Sequence, residues 1–237
     1  MSAETRLILE DGSVFEGNGF GHHGAAAGEV VFNTGMVGYP ETLTDPSYRG
    51  QILVLTYPLI GNYGVPSMRL DNFGLSAGFE SSRIQIAGLV VSEHSARFSH
   101  HSASISLAHW LAENNIPGVS GIDTRALTKR IREQGSMLGK IETAEEQTEF
   151  FNPNLTDLAA TVTVGEVIQH ETNGCEPKSS APSVVLLDCA ACSLIDGGIR
   201  LLLAVRDHGF SRGGASSACP CLIGLTDTVC RHLSDKL

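Results

Sequence analysis

Between Gly28 and Val65 the chain reads GEVVFNTGMVGYPETLTDPSYRGQILVLTYPLIGNYGV, and no other stretch limits the fold as much. Two strand-like apolar runs, Val30 to Thr34 and Gln51 to Tyr57, are separated by Gly35, Gly38, Pro40, Asp45, Pro46 and Ser47. Pro58, Gly61, Asn62 and Gly64 follow the second run. Each proline fixes its own φ and pushes the preceding residue out of the helical region, so the connection between the strands is predicted to hold a fixed, non-helical shape. Asp45-Pro46-Ser47-Tyr48 reads as a tight turn that presents a hydroxyl.

The runs FNTGMVGYPETLTDPSY and TYPLIGNYG resemble the N-terminal domain of the small, glutaminase-bearing subunit of glutamine-dependent carbamoyl-phosphate synthetases. The resemblance continues through Gly121 to Lys129 (GIDTRALTK) and Arg132 to Lys140 (REQGSMLGK). VFEGNGFG and SYRGQILVLTYPLIGNYGVP look most like the version fused at the start of multifunctional pyrimidine-pathway proteins.

The resemblance implies an α/β protein with a layered β/β/α domain over residues 1–150, a linker over 151–183 and a truncated or aberrant start of a class I glutaminase-like domain over 184–237. In the complete family enzyme a cysteine activated by histidine hydrolyses glutamine through a thioester. The ammonia passes to a large subunit or fused synthetase module that uses ATP, Mg and bicarbonate to make carbamoyl phosphate for pyrimidine or arginine synthesis. The first domain supports the glutaminase and docks on the synthetase. Ser47 matches the family serine that hydrogen-bonds the bound glutamine, and a hydroxyl on a proline-fixed turn suits that task. Satisfying its own turn is the simpler role open to the same hydroxyl.

Sixteen basic against twenty-six acidic residues give a net charge of −10, which argues against a nucleic-acid or anionic-membrane surface. No apolar run approaches the roughly 20 residues that span a bilayer, and MSAETRLILEDGS lacks the pattern of a leader. Only Cys175 precedes Cys189, so the body of the protein is built without disulfides, and a cytoplasmic protein is expected.

Along the chain, Arg6 to Asp11, a turn at Asp11-Gly12 and Ser13 to Phe20 predict a β-hairpin. Gly19 to Gly24 carries the glycine spacing of a dinucleotide loop, but another strand follows instead of a crossover helix, so a plain glycine-rich loop is expected. Met68 to Ser82 reads as a polar surface loop, and Ile84 to Val91 as a buried strand. His94, His100 and His101 lack the spacing that sets two imidazoles on one helix face and are read as loop histidines, not metal ligands.

Helices are predicted over Ser104 to Asn114 and, capped by Asp123, over Thr124 to Gln134, with Pro117-Gly118 and Gly135 as stops. Short strands are predicted at Val119 to Ile122 and Ser136 to Glu142. The second helix carries Arg125, Lys129 and Arg132 on its outer face, with Arg130 at the edge. This basic cluster in an acidic protein is a solvated face by default. The resemblance makes it a docking face for the synthetase.

Beyond Cys189 the sequence departs from the family: neither the nucleophile elbow nor the triad histidine and glutamate follow, so no catalytic residue is expected in this chain. Cys189 and Cys192 have metal-pair spacing, but Cys219-x-Cys221 and Cys230-x-His232 supply no second CxxC, so no metal site is expected either. Two functions stand: the amino-terminal part of a carbamoyl-phosphate synthetase, inactive alone, or a truncated, non-catalytic interaction module.

Overall fold

The chain opens with the hairpin that its alternation predicts: β1 (Glu4–Leu9) and β2 (Val14–Gly21) pair antiparallel, with Leu7 opposite Phe15. The structure, a computed structural model, describes residues 4–70 and 76–163, and the expectations for 164–237, including all six cysteines, lie outside them. The elements that follow are β3 (Ala26–Asn33), α1 (Tyr39–Thr44), β4 (Gln51–Ile60) and the short strands β5 (Val65–Pro66), β6 (Arg69–Leu70) and β7 (Ser76–Ala77). Then come β8 (Gly88–His94), β9 (Ala103–Ile105), α2 (Leu107–Glu113), β10 (Pro117–Ser120), α3 (Thr124–Gln134), β11 (Met137–Thr143) and α4 (Leu158–Val162).

The expected α/β character holds, as a large mixed sheet with helices against it. The sheet closes on itself in the order β1-β11-β3-β4-β8-β10-β2, with β2 back on β1. β3, β4, β8 and β10 run parallel to one another, and the remaining pairs are antiparallel. A sheet this twisted removes its edges by closing, so no barrel strand is left with an unpaired row of amides.

Closure divides the apolar side chains into two cores. Leu7, Leu9, Val30, Ile52, Val54, Val90, Val119 and Ile141 fill the barrel, joined by Leu127 and Ile131 of α3. Leu53, Leu55, Leu89 and Val91 face outward and meet Leu43, Phe79, Leu107, Trp110 and Leu111. β4 and β8 are therefore buried on both sides, which is why ILVL and GLVV are unbroken apolar runs and not alternating ones. Each such side chain, hidden from water, contributes about 1.5–3 kcal/mol relative to exposure.

Several local expectations are corrected. The loop between the first two apolar runs contains a helix, α1, because Pro40 falls in its first turn, where no amide is required. Met68 to Ser82 is not wholly surface: β6 pairs with β7, and Phe79, only 3% exposed, packs against Trp110. The predicted strand at Ile84 begins only at Gly88, since Gln85 N–H donates to the Leu43 carbonyl and Ala87 N–H to Gln51. Ser104 and Ile105 belong to β9, and Ser106 caps α2 by accepting from His109 N–H at 3.2 Å. Pro117 and Gly118 begin a strand, while Asn115, at φ 57°, ends the helix. Helix α3 has the predicted limits, with the Asp123 carboxylate accepting from the amides of Arg125 and Ala126.

After β11 the chain folds back as a strap. Lys140 Nζ bonds the Glu142 carboxylate at 2.8 Å and the Thr148 carbonyl at 2.9 Å, and Thr148 N–H donates to Glu142. Burial opposes ionisation of Glu142, but these bonds with the Lys140 and Arg6 charges outweigh it and hold the carboxyl below its usual pKa. The strap leads to Pro153, which packs beside Gly50, and then to α4.

Candidate functional site

Ser47 stands on an arm that begins at Gly38 and ends at Tyr48. Pro46–Tyr48 forms a single 3-10 turn, and the Asp45 carboxylate caps it by accepting from Ser47 N–H at 2.8 Å. The cap leaves the Ser47 hydroxyl without a hydrogen-bond partner among the described residues, on an exposed side chain. Asp45, and not Ser47, satisfies the turn.

Three anchors hold the arm. At its start the Tyr63 phenol oxygen accepts from Gly38 N–H at 2.9 Å and Tyr39 N–H at 3.0 Å, while Tyr39 donates to the Gly64 carbonyl at 2.6 Å. In its middle the Thr44 hydroxyl accepts from Glu80 N–H, and the Ser81 hydroxyl donates to the Thr44 carbonyl. At its end Asn33 Nδ2 donates to the Tyr48 hydroxyl at 3.2 Å. Arg49 follows the turn, and burial first, then the charge of Arg83, pulls its pKa down. Arg83 in turn donates to the Thr161 carbonyl at 2.7 Å, so the strap's exit lies beside this arm. No motif marked Tyr39, Tyr63, Arg49 or Arg83 as a group; the aromatic residues in GYP and GNYG were the only signal for the first two.

The basic cluster lies elsewhere. Arg125, Lys129 and Arg132 line a groove of about 700 Å³ with Thr34, Thr56 and Pro58, at the carboxyl ends of β3 and β4. Lys129 reaches Glu133 at 3.9 Å, a weak exposed pair. Arg130 faces away from this groove and bonds Asp11 and Ser13 in the first hairpin turn. Hydrogen bonds from Ser13, then Arg130, keep the Asp11 carboxyl below its usual pKa.

Gly19 to Gly21 lies within β2 and leads to β3 without a helix. Asp123 already occupies the first amides of α3, leaving no open helix start there for a phosphate. Among the described residues no group of three or more His, Cys, Asp or Glu side chains could hold a metal ion, and no helix is long and apolar enough to cross a membrane.

The three histidines part company. His100 bonds Ser102, and its ring lies tilted against that of His101 with centroids 4.2 Å apart. His94 is not a loop residue: it ends β8, stacks on Phe20 at 4.2 Å and keeps Nε2 buried without a hydrogen-bond partner among the described residues. Burial lowers its pKa in the folded protein. The unfolded chain therefore binds the proton more readily, so the stability linked to neutral His94 is intact above its unfolded pKa of about 6.5 and is lost as pH falls through the folded value. Urea midpoints are expected to drop more between pH 7.5 and 5 for the wild type than for His94→Phe. Parallel pH profiles would refute this.

Residues 7–141 match the family described as carbamoyl-phosphate synthase small chain, CPSase domain. The chain belongs to this family. The carbamoyl-phosphate synthase small chain relatives include multifunctional protein CAD of Squalus acanthias, 52% identical over 171 residues, covering 71% of this chain and 8% of that protein. Multifunctional protein URA2 of Saccharomyces cerevisiae is 47% identical over 180 residues, covering 68% of this chain and 8% of its own length. The human carbamoyl-phosphate synthase [ammonia], mitochondrial, is 42% identical over 212 residues, covering 87% and 14%. The chain thus spans only 8% to 14% of the length of these relatives.

Proposed function

We propose that this chain is the amino-terminal part of a glutamine-dependent carbamoyl-phosphate synthetase, a ligase that makes carbamoyl phosphate from glutamine, bicarbonate and ATP for pyrimidine or arginine synthesis. The family match over residues 7–141 carries the reading. In it the barrel supports a glutaminase domain and docks on a synthetase large subunit or fused module, where ATP and Mg act; the chain by itself turns over no glutamine. A cytoplasmic setting suits a body with no cysteine before Cys175.

Ser47 is the residue proposed to reach the substrate. Its exposed hydroxyl, on a turn already capped by Asp45, supports that role, because no hydrogen bond among the described residues competes for it. The hydroxyl can accept from the glutamine ammonium or donate to its carboxylate. Helix α3 is the proposed docking face, since Arg125 and Arg132 line an open groove in a protein of net charge −10.

In the complete enzyme Ser47→Ala is expected to raise KM for glutamine about tenfold, the worth of one hydrogen bond to substrate. An unchanged KM would remove Ser47 from the site. Joint Arg125→Glu and Lys129→Glu replacement is expected to weaken binding to the purified synthetase partner, most at low salt. Binding equal to that of the wild type would clear α3 of any docking role.

A further inference from the structure

We infer that Tyr63 is a positioning residue for Ser47, acting through the start of α1; the inference rests on the proposal that Ser47 contacts glutamine. Helix α1 has six residues, far fewer than hold a helix in water unaided. Gly38 occupies its N-cap at φ 82° and has no side chain to offer the first amides. The missing acceptor comes from beyond β4, where the Tyr63 oxygen takes both the Gly38 and the Tyr39 N–H.

A cap supplied from within the same turn would only end the helix. This one also fixes the helix to the chain beyond β4. Tyr39 returns the contact by donating to the Gly64 carbonyl, and the two rings stack with centroids 4.3 Å apart. Burial, the largest cause in both cases, raises the pKa of each phenol, so both stay protonated and bonded near neutral pH.

From Tyr63 to Ser47 the hydrogen bonds form an unbroken series. The Gly38 carbonyl accepts from Thr42 N–H at 3.0 Å, and the Thr42 carbonyl accepts from Asp45 N–H at 3.3 Å. The Asp45 carboxylate then accepts from Ser47 N–H at 2.8 Å. Loosening the first link frees the start of the arm and is passed along this series to the Asp45 cap, while the barrel, whose strands share none of these bonds, keeps its shape.

Tyr63→Phe removes the acceptor and keeps the stacked ring. In the full chain, amide exchange at Gly38, Tyr39 and Thr42 is expected to rise at least about tenfold, with β4 and β8 amides unchanged. In the complete synthetase the same substitution is expected to raise KM for glutamine about fivefold while kcat stays within about twofold, since misplacing a binding group costs binding before chemistry.

Unchanged exchange at the three amides overturns the inference. So does an unchanged KM for Tyr63→Phe when Ser47→Ala raises it, because Ser47 then matters and Tyr63 does not place it. If Ser47→Ala itself leaves KM unchanged, the substrate role of Ser47 fails and the positioning role of Tyr63 falls with it.

Discussion

Gly28→Ala is expected to destabilise the domain by about 3 kcal/mol or more, at the upper end of what overpacking does. Gly28 lies in β3 opposite Gly139 of β11, and a Cβ added to it would stand 2.2 Å from the Gly50 carbonyl oxygen. That oxygen is backbone. Gly50 lies where the Ser47 turn enters β4, and its own place is set by Pro153 and Leu158 beside it. No side-chain rotation relieves the clash; either β3 leaves its ladder or the turn moves. Denaturant titration measures the loss, and a change below about 0.5 kcal/mol would show that the turn yields freely. In that case the glutamine KM of the complete enzyme should rise instead.

Leu127→Ala is expected to cost about 2–5 kcal/mol, from lost burial plus the cavity it leaves. Leu127 is fully buried and reaches from α3 into the barrel among residues of β3, β4 and β8. Strands already locked in a closed ladder cannot collapse onto the vacated volume, which favours the upper half of that range. Arg132→Ala on the same helix is exposed and is expected to stay within about 0.5 kcal/mol. Equal losses for the two variants would mean that the helix contributes through its own propensity and not by filling the barrel.

What the sequence made legible was local. The first hairpin announced itself by Asp11-Gly12 between alternating runs, and α3 by Asp123, the Leu127 and Ile131 spacing and Gly135. Closure was not legible, because the pairing of β1 with β11 joins Leu7 to Ile141 and leaves no mark in either segment. Phe79 was missed for a related reason. No apolar spacing surrounds it, and the burial comes from residues distant in the chain such as Trp110, thirty-one positions away. Pro40 misled by its position, since a proline that breaks a helix interior is harmless in the first turn.

For the site, the turn around Ser47 was readable because proline and aspartate dictate their own geometry. Its support was not, since Tyr63 acts on amides twenty-four and twenty-five residues earlier. Within the basic cluster the sequence could not sort structural from free cations: Arg130 is consumed by Asp11, while Arg125 and Arg132 line the groove.

The ring of strands also sets a timetable for folding. β1 has two neighbours, β2, available as soon as the hairpin is made, and β11, which ends at Thr143. During synthesis the ring stays open at that seam until nearly all of these residues have emerged, so the first hairpin must wait with one edge unpaired. Contacts this distant make for slow folding. Polypeptides that carry such a domain at their start commit their later modules to an anchor that locks only after its last strand arrives.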